Sequence, residues 1–153
     1  ATLYYGISAL KATNIIVIGH YGCGGVAAAI SPRADDSPLD TTQTVMQLWI
    51  DPLRELYRNS ERKEIVEYRD NSHNHQEKLA IDSPVWRALT EENVKLSVAN
   101  IANSQLIQEH WANSSATPVF VYGLVYDVMD GTLKDLAVTV GPEGIPPPSS
   151  PFL

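Results

Sequence analysis

The sequence predicts an α/β fold in which a mostly parallel β-sheet is flanked by helices. Three observations carry this. Asn14–Gly19 (NIIVIG) is a short, wholly apolar, β-branched run, which suits a strand buried on both faces in a helix-covered parallel sheet. Pro118–Met129 (PVFVYGLVYDVM) is a second such run. Between them lie segments whose apolar residues recur at helical spacing, and strands combined with helices in this way form layers.

Taken in order, Ala1–Lys11 reads as an amphipathic helix with Leu3, Ile7 and Leu10 on one stripe. After the first strand, His20–Gly25 is a glycine-rich turn and Val26–Ile30 begins a helix. Ser31–Asp40 holds two prolines and three aspartates and reads as a loop. Thr41–Asn59 is helical, with Val45, Leu48, Trp49, Leu53, Leu56 and Tyr57 at three-four spacing and a kink or restart at Pro52. Ser60–Asp82 is polar and mixed in charge, a frayed helix and a surface excursion. Ser83 as N-cap and Pro84 at the first helical position open the next helix, which carries Trp86, Leu89, Asn93, Leu96 and Asn100. Gln105–Trp111 is a further short helix. After the second strand, Asp130-Gly131 is a two-residue hairpin signal and Thr132–Val140 returns. Gly141–Leu153, with five prolines and two glycines, is read as a disordered tail. The expected organisation is one domain over residues 1–140, followed by that tail.

Composition bounds the function. The chain has 153 residues, 44% hydrophobic and 19% charged, which is ordinary globular usage and excludes wholesale disorder. Eleven basic against eighteen acidic side chains give a net charge of −7, the wrong sign for a nucleic-acid binder. A single cysteine excludes an intrachain disulfide and points to the cytoplasm or another reducing compartment. No apolar run approaches the ~20 residues that span a bilayer, so neither nucleic acid nor membrane is an expected partner.

One stretch carries chemistry, Gly19-His20-Tyr21-Gly22-Cys23-Gly24-Gly25, at the carboxyl end of the first strand. Strands in parallel sheets deliver functional groups at that end. Three readings are open. Gly22-x-Gly24-x-x-Ala27 fits a relaxed dinucleotide fingerprint, but a Pro/Asp loop and a helix follow where that motif needs a second strand. His20 and Cys23, three apart in a tight turn, offer one imidazole and one thiolate, a donor mixture that zinc accepts. Alternatively Cys23 is a small buried hydrophobe, His20 a hydrogen-bonded core histidine, and the glycines serve close packing.

Ile15-Ile-Val-Ile-Gly-His-Tyr-Gly-Cys-Gly-Gly-Val26 resembles the second zinc-ligand segment of the β-class carbonic anhydrases. Leu48-Trp-Ile-Asp-Pro-Leu-Arg-Glu-Leu-Tyr57 resembles that family's helix after the metal loop, and Glu92-Asn-Val-Lys-Leu-Ser-Val-Ala-Asn100 its Asn-Val helix. Val121-Tyr-Gly-Leu-Val-Tyr-Asp-Val-Met-Asp-Gly-Thr-Leu133 resembles its penultimate strand and hairpin, with Leu124 where a Trp is common. The matches are collinear up to about Val140.

The resemblance implies that His20 and Cys23 are two zinc ligands. It also implies reversible hydration of carbon dioxide to bicarbonate by a zinc-held hydroxide, in a homodimer or higher oligomer. The family's upstream Cys-x-Asp-Ser-Arg segment, which supplies a further ligand and an Asp–Arg pair, does not occur in these residues, and Cys23 is the only cysteine. No catalytic residue is therefore identifiable beyond the ligands. The expectation is a carboxyl-terminal portion whose fold and site are completed elsewhere, for example by a complementary amino-terminal fragment that adds a central strand to the edge of Asn14–Gly19. The alternative is a non-catalytic relative with an incomplete metal site, acting as an interaction or regulatory subunit. A carbon–sulfur analogue of carbon dioxide is a further substrate option.

Other residues read as structural. His73 and His75 belong to a solvated loop, and His110 complements a helix dipole. Asp130 is explained by turn geometry and Asp127 by the end of a strand. Trp49, Trp86, Tyr57 and Tyr68 are core or dimer contacts. Asn93 and Asn100 lie on an otherwise apolar stripe, where burial demands hydrogen-bond partners.

Overall fold

The structure is a computed structural model that describes residues 1–31, 37–71 and 79–148. It is an α/β fold with the elements α1 (Thr2–Ser8), β1 (Asn14–His20), α2 (Gly24–Ile30), α3 (Thr41–Asn59), α4 (Lys63–Asp70), α5 (Pro84–Ala102), α6 (Gln105–Ala112), β2 (Phe120–Tyr126) and β3 (Leu133–Asp135). These form two compact units. The first comprises Ala1–Gly19, Val94–Tyr126 and the chain from Thr132 onward; the second comprises His20–Asn93 and Asp127–Gly131. Among the described residues no helix is long and apolar enough to cross a membrane.

The first unit holds a mixed three-stranded sheet in the order β1-β2-β3. The Phe120 N–H donates to the Thr13 carbonyl (2.9 Å), which sets the starts of β1 and β2 side by side, so they run parallel. β3 is antiparallel to β2, with Tyr126 opposite Leu133. The central strand β2 is buried from Phe120 to Val125. Gly123 is required there, because a Cβ would lie 2.7 Å from Val138 and 3.1 Å from Val98 of α5. A cluster of Ile7, Ile107 and Val119, extended by Ile15, Ile101 and Trp111, closes the other end of this unit.

Several expectations change in this unit. α1 ends at Ser8, so Leu10 lies outside the helix, is 65% exposed and leaves the stripe. β1 is not buried on both faces. It alternates between exposed and half-buried residues, so the face that carries Ile16 and Ile18 is uncovered among the described residues, and β1 is also the edge strand of the sheet. The two-residue hairpin is instead a six-residue connection, residues 127–132, in which Gly131 takes φ +77° and donates to the Asp127 carbonyl. The returning strand shortens to Leu133–Asp135, with one further bridge between Val121 and Val140. The buried stripe of this half of α5 is Val94, Val98 and Ala102, while Leu96 and Asn100 face outward.

The second unit is a helical layer. Val26, Ala29 and Ile30 of α2, Ile50 and Leu53 of α3, Ile65 of α4, and Val85, Ala88 and Leu89 of α5 form its core, with Tyr57, Tyr68 and Trp86 packed against it. α3 spans the expected residues. Asp40 caps it through a reciprocal box with Gln43: the Gln43 N–H donates to the Asp40 carboxylate (2.8 Å) and the Asp40 N–H to the Gln43 amide oxygen (3.0 Å). The helix continues through Pro52 without a restart, since the Leu48 carbonyl left without its donor belongs to an exposed residue that water can reach. Its first half is not core: Val45, Leu48 and Trp49 are exposed, Trp49 by 70%. At its end, Arg69 donates to the Tyr57, Arg58 and Ser60 carbonyls. His73 and His75 lie outside the described residues.

Candidate metal centre

β1 ends in His20, and the chain then turns at once into α2. Gly22 makes that turn with φ +75°, a conformation that disfavours any residue with a side chain, and a Cβ there would meet Ile81 at 2.9 Å. Cys23 sits at the N-cap of α2 in an extended conformation, and its side chain makes no capping hydrogen bond. The thiol is free and half-buried against the helical core. Gly25 leaves room for the ring of Trp49, which a Cβ would approach to 3.1 Å.

The donors suit a metal in kind. His20 has its Nδ1 3.1 Å from the Tyr21 carbonyl. An N–H at Nδ1 donating there leaves the Nε2 lone pair as ligand, the arrangement in which a metal-binding histidine is held by a backbone carbonyl. Imidazole nitrogen and thiolate sulfur together match zinc. The two are alone in this role: among the described residues no three His, Cys, Asp or Glu side chains gather as a set that could hold a metal ion. His110, in the last turn of α6, instead meets the Thr117 carbonyl at 2.9 Å.

Beneath the turn lies a charged network that sequence reasoning missed. Tyr21, 1% exposed, donates its hydroxyl to Glu91 of α5 at 2.5 Å. The Arg87 guanidinium lies 3.6 Å from the centre of the Tyr21 ring and pairs with Asp127 at 2.9 Å. Arg62, just ahead of α4, pairs with Glu91 (2.7 Å), Glu92 (3.1 Å) and Glu64 (3.2 Å). Trp86 donates its indole N–H to the Cys23 carbonyl at 2.9 Å. Burial, then the hydrogen bond and charge of Glu91, push the Tyr21 phenol up to about 12, so it stays a donor. Burial works against the charge on Arg62, but its bonds to Glu64, Glu91 and Glu92 outweigh this and raise its pKa. Asp127 is thus an ion-pair partner as well as the end of a strand, and it also accepts the Met129 N–H (3.0 Å). The available signal was the Arg87/Glu91 pair at i,i+4, with Glu91 on the side of α5 that carries Ala88 and Val94.

A family model described as carbonic anhydrase matches residues 1–133. The chain belongs to the β-carbonic anhydrase family. A carbonic anhydrase of Emericella nidulans is 30% identical over 138 residues, covering 90% of this chain and 51% of its own length. The structure of a Coccomyxa β-carbonic anhydrase in complex with acetazolamide is 28% identical, with a TM-score of 0.62, over 90% of this chain and 53% of that one. A tetrameric β-carbonic anhydrase from Sordaria macrospora shares the fold with a TM-score of 0.62 at 21% identity, over 90% of this chain and 59% of its own. The chain therefore spans about half the length of the curated relatives it matches. In this β-carbonic anhydrase chain, the turn after β1 is where the metal-type donors fall.

Proposed function

We propose that this chain contributes to the reversible hydration of carbon dioxide to bicarbonate, with His20 and Cys23 as two protein ligands of a zinc ion. The observation that supports this most is the His20–Cys23 turn itself, in a chain matched to the carbonic anhydrase family over residues 1–133. The turn leaves both the imidazole Nε2 and the thiol sulfur available. When bound, zinc would supply an acidified water at neutral pH. The residues of this chain hold the two donors: the Tyr21 carbonyl orients the imidazole, and the N-cap position of Cys23 presents the sulfur ahead of α2.

Two ligands fall short of the three or four that zinc takes from proteins. The rest of the site is assigned to residues outside this chain, in an oligomer or in a longer protein. β1 is an edge strand with no outer neighbour among the described residues, which supports the same view, because an open edge favours a further strand. A reducing compartment keeps Cys23 reduced and so available as a ligand.

The experiment is zinc content and carbon dioxide hydration of the intact protein beside Cys23→Ser and His20→Ala. Both substitutions are expected to lower bound zinc and hydration by ~100-fold or more. Full activity in Cys23→Ser contradicts the reading. A folded wild-type protein that neither binds zinc nor turns over carbon dioxide supports the other reading, a relative that serves as an interaction subunit. The observation favouring it is the absence of a third donor among the described residues.

A further inference from the structure

We infer that Tyr21, Glu91 and Trp86 are positioning residues that set the geometry of the His20–Cys23 pair from helix α5. The inference rests on the metal reading of that pair. Tyr21 stands between the two donors and is held at both of its polar ends. Its hydroxyl donates to Glu91 at 2.5 Å, and its carbonyl faces the His20 Nδ1 at 3.1 Å. Shifting the Tyr21 side chain therefore shifts the group that orients the imidazole. Cys23 is held separately. Its carbonyl accepts the Ala27 N–H (3.0 Å) that starts α2 and also the Trp86 indole N–H (2.9 Å), so both lone pairs are engaged and the peptide is fixed.

Helix α5 thus contacts the turn once for each donor, and neither contact is explained by packing alone. A phenylalanine at position 21 would fill nearly the same space but would leave the buried Glu91, 6% exposed, without the hydroxyl that donates to it. Burying that carboxylate carries a desolvation cost, which the Arg62 ion pair at 2.7 Å and the Tyr21 hydrogen bond help to offset. Arg87 lies over the same ring and is fixed in turn by Asp127 at 2.9 Å. Outer partners of this kind orient metal ligands and tune their affinity.

The test uses the intact protein and the variants Tyr21→Phe and Trp86→Phe. Ile65→Val serves as a control that loosens the same helical core away from the turn. Zinc affinity is measured by chelator competition, and cobalt(II) substitution reads the thiolate-to-metal absorption band. Both phenylalanine variants are expected to bind zinc about 10- to 100-fold more weakly, with an altered cobalt spectrum. Ile65→Val is expected to lower the melting temperature while matching wild type in affinity and spectrum. Trp86→Phe keeps an aromatic side chain while removing the indole N–H and its five-membered ring, and it serves even if Tyr21→Phe does not fold. Wild-type affinity and spectrum in both variants would overturn the inference while leaving the ligands standing. A cobalt–thiolate band that persists unchanged in Cys23→Ser would overturn the metal reading, and the inference with it.

Discussion

Strands β1 (NIIVIGH) and β2 (FVYGLVY) have nearly the same apolar character, yet they sit in opposite surroundings. β2 is buried at every residue but its last, between two neighbours. β1 alternates between exposed and half-buried residues, and Ile18 is 57% exposed. Hydrophobicity is a property of the residues, whereas burial depends on what the rest of the chain lays against them. The exposure of β1 among the described residues ends at Tyr21, which is 1% exposed and bonded to Glu91 of α5.

The largest effect expected from this contrast is in β2. Leu124→Ala, at a site 2% exposed, is expected to cost about 2–5 kcal/mol in denaturant unfolding, since it leaves a cavity between packed neighbours. A cost below ~1 kcal/mol would show that β2 is not the packed centre.

Next comes the residue that ends the exposure of β1. The Tyr21 phenol titrates near 12 in the folded chain and near 10 when unfolded, so the folded state holds its proton more tightly. Its contribution is complete below pH 10 and is lost as pH rises through 12. Between those limits wild type should lose about 2–3 kcal/mol that Tyr21→Phe does not lose. Parallel stability curves for the two proteins at alkaline pH would remove Tyr21 from the buried network.

The smallest effect is on β1 itself. Ile18→Thr is expected to change stability by less than ~0.5 kcal/mol, as for other exposed positions, and to reduce aggregation seen by light scattering. A cost of ~2 kcal/mol would sharpen the comparison differently, by showing that another segment covers this face in the intact protein.

Much of the fold was legible because local chemistry decides it. The limits of α3 follow from Asp40 and the periodic run after it, and the start of α5 from Ser83-Pro84. That His20 and Cys23 share one tight turn between β1 and α2 was legible for the same reason. The exposed face of β1 was not, because NIIVIG reads equally as a central strand, and only the strand order shows it to be an edge. The core reading of Trp49 failed for a related reason: helical spacing placed it on a stripe, but the buried residues of α3 are Ile50 and Leu53. The network beneath the turn was hidden because its members lie far apart in sequence. Tyr21 and Glu91 are separated by 70 residues, and a glutamate in a helix is ordinarily a surface residue.

The central claim is that His20 and Cys23 hold zinc together, and X-ray absorption at the zinc edge tests it most directly. The wild-type protein should show sulfur scattering at about 2.3 Å and nitrogen scattering at about 2.0 Å. Cys23→Ser should remove one sulfur from that shell or abolish zinc binding. A zinc shell identical in wild type and Cys23→Ser, or a wild-type protein without zinc, would contradict the claim.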